Sequence, residues 1–141
     1  MSKTINTKID DGILTFTFTN NQNEIFASFR LNPTDVNIAA RAEEVSAFFE
    51  KMEETVKNVA SAKEAAKLNE LIQDKINYLL GYEASKDLFR EPITATTVFG
   101  NGQMFANIVL DKVADAIAPE IEKRRKKMQA EVDKYTEKYT K

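Results

Sequence analysis

The apolar residues of this chain change period once, and that change divides it. Up to Leu31 they alternate. Leu14, Phe16 and Phe18 are separated by Thr15 and Thr17, and Ile25, Ala27, Phe29 and Leu31 by Phe26, Ser28 and Arg30. A period of two puts alternate side chains on one face of a strand. Beyond Asn32-Pro33 the spacing becomes three and four, through Ile38, Ala42, Val45, Phe48, Phe49, Met52, Val56 and Val59. That is one face of a helix. Strands first and helices afterwards predict an α+β fold, mainly α.

In the strand region, Asp10-Asp11-Gly12 and Asn20-Asn21-Gln22-Asn23 are turn sequences. Ile5, Thr7 and Ile9 precede the first of them at strand spacing, so residues 1–31 predict a three-stranded antiparallel meander. Its apolar face, Leu14, Phe16, Phe18, Ile25, Ala27 and Phe29, is expected to lie on the first long helix, because so small a sheet is unstable alone. Phe26 falls on the other face and is a candidate partner contact.

Helices are expected over 33–118. Asn32 as N-cap and Pro33 at the first helical position predict the first start. Ser61-Ala62-Lys63-Glu64 has the capping-box pattern and predicts a second start, with Ala65, Leu68, Leu71, Ile72, Ile76, Leu79 and Leu80 inward and Gly81 as the stop. A further turn of helix is expected near Ser85–Phe89 and an irregular stretch through Phe99. Gly100-Asn101-Gly102 then opens a helix whose stripe is Phe105, Ile108, Val109, Val113 and Ile117. Pro119 is expected to end, kink or restart it.

Residues 119–141 differ in character. Ile121, Met128 and Tyr135 are seven apart, and Arg125, Val132 and Tyr139 each follow one of them four residues later. This narrow stripe is that of a coiled coil, and it predicts a basic amphipathic C-terminal helix. Residues 120–141 hold eight Lys or Arg against five Asp or Glu, within a chain whose net charge is −2. Lys123-Arg124-Arg125-Lys126-Lys127 suits phosphate contact on charge alone. The nearby Glu120, Glu122, Glu131 and Asp133 and the lack of interleaved aromatics favour a solvated helix face or a protein contact.

Histidine and cysteine are both absent. Without them neither a Ser-His-Asp nor a Cys-His arrangement can be built, and no thiolate metal site or disulfide framework exists. Paired acids at Asp10-Asp11, Glu43-Glu44 and Glu53-Glu54 fall in a turn or on charged helix faces, without the environments that separate an acid from a base. Asp10 and Asp11 lack the EF-hand ligand pattern. The expectation is a non-enzyme with no cofactor and no metal. Neither a signal-peptide run nor a stretch of about 20 apolar residues is present, which predicts a cytoplasmic protein with no membrane partner.

The order of blocks also resembles a known family. A β-meander leads into Asn32-Pro33-Thr34-Asp35-Val36-Asn37-Ile38 and a long helix. Ile76-Asn77-Tyr78-Leu79-Leu80-Gly81, Ser85-Lys86-Asp87-Leu88-Phe89 and Asn101-Gly102-Gln103-Met104-Phe105 then follow before a last helix. Over roughly residues 10–118 this is similar to the tail assembly chaperones of siphophages that infect Gram-positive bacteria. The resemblance implies binding of the tape measure protein, and of the tail tube protein as a further partner, in the host cell cytoplasm. It carries over no catalytic residues. Residue type and pattern make Phe26, Met104, Phe105, Met128, Val132, Tyr135 and Tyr139 the candidate contacts, each with a core or intramolecular role as its alternative. Two other functions stay open: a nucleic-acid-binding module using the basic helix, and a structural subunit that self-assembles into a homo-oligomer through residues 120–139. A small carboxylate-dependent enzyme is the least favoured.

Overall fold

The structure, a computed structural model, describes residues 2–139, the side chains of Glu53 and Tyr139 excepted. It is mainly helical, with a two-stranded antiparallel sheet at the start. Strand β1 (Leu14–Thr19) pairs with β2 (Ile25–Leu31), Leu14 opposite Leu31, Phe16 opposite Phe29 and Phe18 opposite Ala27. The polar turn between them is built by Asn20, whose Oδ1 accepts from the amides of Gln22 and Glu24 at 2.9 and 3.0 Å. Asn23 takes a positive φ of 62°, a conformation Asn tolerates better than most residues.

The third strand expected over Ile5–Ile9 does not form. Residues 2–13 have no strand, and Ile5 and Ile9 stand 89% and 77% exposed. Asp10 and Asp11 each accept, through Oδ1, the amide two residues ahead, both at 3.0 Å. Those local bonds offer the backbone an alternative to a hairpin. Two isoleucines four residues apart also bring little apolar area to offset the ordering of a strand.

The facing of the strand residues also departs from simple alternation. The register slips after Phe18, so that Thr19 pairs with Ile25 and Phe26 becomes an extra residue, a β-bulge. The bulge breaks the strict alternation. Ile25 is exposed, and Phe26 is half-buried against the core instead of lying on the free face. Leu14, at the open end of β1, is exposed too.

Helix α1 (Val36–Lys57) starts three residues later than the Asn-Pro sequence suggests. Asn32 Oδ1 accepts from the Thr34 amide and hydroxyl at 3.1 and 2.8 Å, which makes Asn32–Asp35 a turn ahead of the helix. Asp35 is the N-cap, and its carboxylate accepts from the Asn37 amide at 2.9 Å. Helix α2 (Ala62–Leu80) begins where the capping box predicts. Ser61 Oγ accepts from the Glu64 amide at 3.2 Å, and Glu64 reaches back to the Ala60 amide at 3.0 Å. Gly81 closes it with φ 79°, where a side chain would be strained.

A short helix, α3 (Ser85–Leu88), is held on α2 by Asn77, which donates to Ser85 Oγ and accepts from the Ser85 amide. Tyr82 fixes this corner to β2: its hydroxyl accepts the Arg30 amide at 2.7 Å, and the Arg30 guanidinium lies over its ring. Helix α4 runs from Phe105 to Tyr139. The Phe105 and Ala106 amides donate to the Thr97 and Ala95 carbonyls at 2.8 and 3.0 Å, so the loop before α4 satisfies its first free donors. Val45, Phe49, Ile72, Ile76, Leu79, Val109, Val113 and Ile117 share one core with Phe29 and Leu31. The ring contacts of the sheet run to Phe105 of α4, which touches Phe18, Phe26, Phe89 and Phe99.

Candidate partner-binding surface

Pro119 lies inside α4 and the helix continues through it. The ring removes one amide, leaving the Asp115 carbonyl without its helical donor. Ile117, two residues earlier, is the last buried side chain of α4 among the described residues, and the helix then leaves the core. From Ala118 to Tyr139 it extends for about 33 Å at 1.5 Å per residue. Along that length Ile121, Met128, Val132 and Tyr135 stand 49%, 63%, 56% and 61% exposed. Spacings of seven, four and three put them in one line, the narrow stripe its sequence predicts.

Charged neighbours pair with one another along that half of the helix. Arg125 grips Glu122 through two bonds, 3.2 and 2.7 Å, and Lys123 lies 3.6 Å from Glu120. Gln129 donates to Asp133 at 3.0 Å. The Arg125 hydrogen bonds and charge hold the Glu122 carboxyl below its usual range, and Glu122 in turn raises Arg125. Two members of the basic run therefore have intrahelical partners. Elsewhere on the surface, the hydrogen bond that Tyr78 donates to Glu44 (2.7 Å) raises the Tyr78 phenol, and Lys86 lowers Glu83.

At the root of the projecting segment, the start of α1 comes close to α4. A hollow of about 290 Å³ lies there, with Pro33, Val36 and Ala39 on one wall and Ile121, Arg124 and Met128 on the other. It is continuous with the stripe, because Ile121 and Met128 belong to both. A larger cleft of about 770 Å³ opens between α1, α2 and the beginning of α4, lined by Phe49, Met52, Ile72, Met104 and Leu110 among others.

The seven residues singled out from the sequence do not form one site. Phe105 is fully buried and Phe26 packs on it, their ring centroids 5.9 Å apart; both are core residues, not free contacts. Met104 is half-buried on the wall of the larger cleft. Met128, Val132 and Tyr135 share the exposed stripe, and the Tyr139 side chain lies outside the described residues. The structure adds Ile121, Val36 and Pro33 to this surface. Ile121 already stood in the heptad pattern. Nothing in the sequence marks Val36, because the α1 start reads three residues early there.

Among the described residues no cluster of three or more acids is placed to hold a metal ion, and no helix is long and apolar enough to cross a membrane. The fold and surface thus define a class: a small α+β protein, mainly helical, whose last helix carries an uncovered apolar stripe. No family model, no curated protein and no solved structure matches the chain.

Proposed function

We propose that this chain is a non-enzymatic tail assembly chaperone of a siphophage, working in the host cytoplasm and binding the tape measure protein. The tail tube protein is its further partner, taking over the tape measure as the tube grows. One observation carries the reading: Ile121, Met128, Val132 and Tyr135 form an exposed apolar line on a helix that has left its own core. A tape measure protein is long, helical and apolar in stripes, and one amphipathic helix binds another along such a line. The block order named above, from Asn32-Pro33 to Asn101-Gly102, supports the choice of family. Met128 suits a partner of varied sequence, since its unbranched side chain adapts to irregular surfaces.

The test is co-expression with a tape measure fragment from the same phage genome. The full chain is expected to raise the soluble fraction of the fragment severalfold, and a chain ending at Ala118 is expected to lose most of that effect. Equal solubility with and without the full chain refutes the reading.

A further inference from the structure

We infer that, when no other partner occupies it, the projecting part of α4 pairs antiparallel with the same segment of a second copy. The apolar line Ile121, Met128, Val132 and Tyr135 occupies coiled-coil core positions, with Ala118 and Arg125 completing the alternate seam. The flanking positions differ from side to side. Arg124 and Glu131 lie along one flank, Glu122 and Gln129 along the other.

These charges choose between the two ways of pairing. In a parallel pair Arg125 meets Arg125 of the other copy, two like charges in the seam, and Arg124 faces the neutral Gln129. Turning one helix around removes both faults. Arg125 then packs on Met128, while Val132 of each copy lies on Ile121 of the other, above the hollow that contains Val36. In the same register Arg124 of each copy faces Glu131 of the other, giving two interchain ion pairs related by the two-fold axis. Arg125 keeps its own Glu122 (2.7 Å), so its charge is not carried into the seam unpaired. Tyr135 lands on Ala118, and Ala114 and Ala118 are small and exposed, which leaves the reversed helix room beside the body. Every apolar residue of the line is covered once in each copy, as a closed two-fold interface requires.

The absence of native cysteine makes the register directly measurable. In a mixture of Ile121→Cys and Val132→Cys chains, oxidation is expected to yield the mixed disulfide, and Val132→Cys alone is expected to stay reduced. Equilibrium sedimentation of the wild type is expected to give a dimer. Arg124→Glu and Glu131→Lys should each raise the dissociation constant about fivefold or more, and together they should restore it, since the swap rebuilds the ion pairs reversed. The swap also guards against a folding artefact, because a merely unfolded variant is not rescued by a second change. A monomer at all concentrations, ready cross-linking of Val132→Cys with itself, or no rescue by the double swap overturns the proposal. All of these measurements use this chain alone. A monomer would therefore leave the tape measure reading standing, and failure to solubilise a tape measure fragment would leave the pairing standing.

Discussion

The two halves of α4 belong to one helix and behave as opposites. From Phe105 to Ile117 the apolar side chains Phe105, Val109, Leu110, Val113 and Ile117 are buried, with Ala106 beside them. From Ala118 onward the described side chains are all exposed or half-exposed. The first half has a stripe wide enough to meet α1, α2 and the sheet at once. The second has a line one residue wide, interrupted by Arg125, and it suits a single opposing helix. Width of the apolar stripe, not helix propensity, separates the buried half of α4 from the projecting half.

That contrast predicts graded effects on the monomer, the side-chain truncations being read by thermal or urea unfolding at a concentration where the chain is monomeric. Phe105→Ala should be the most damaging change, costing about 3–5 kcal/mol, because the ring is fully buried in a cluster of four other rings. A loss under about 1 kcal/mol would mean that the two halves are less different than their burial indicates. Pro119→Ala should work in the other direction. It returns an amide donor to Asp115 and should stabilise the distal half by about 1–3 kcal/mol, read as slower amide exchange over residues 120–135. Unchanged exchange would show that the proline does not separate the halves energetically.

Tyr135→Ala should change monomer stability by less than about 0.5 kcal/mol, as expected for a surface side chain that is 61% exposed. If the stripe is covered as proposed, the larger effect of this change falls on partner binding. The smallest effect concerns pH. Arg125 holds Glu122 below its usual range, so this pair supports the distal helix above the ordinary carboxylate range and the support is lost as the pH falls through the lowered value. Far-UV helicity should decline slightly in acid, and Glu122→Gln should remove that part of the titration. The buried half should not respond, since its core contains no titratable side chain among the described residues.

Much of this was legible in the residues themselves. The change of period at Asn32-Pro33 divides strands from helices as observed, and Ser61 and Gly81 mark the ends of α2 through bonds and a backbone angle that are local in the chain. The stripe of Phe105, Val109, Val113 and Ile117 and the narrow line beyond Pro119 follow from spacing alone. What failed depended on distant or competing contacts. The bulge at Phe26 cannot be read from alternation, because one extra residue reverses the facing of its neighbours and the Phe105 ring rewards that reversal. The third strand failed because Asp10 and Asp11 bond to their own backbone. The hollow against Val36 depends on the approach of two helices distant in sequence, a packing that neither segment signals separately.

We propose residues 120–139 as the surface to which another polypeptide binds. Amide hydrogen exchange of the full chain, with and without a tape measure fragment, tests it most directly. New protection is expected along 120–139 and around Val36, with the core amides of α2 unchanged. Protection confined to the cleft between α1, α2 and Met104, or no new protection at a saturating concentration of fragment, contradicts the account.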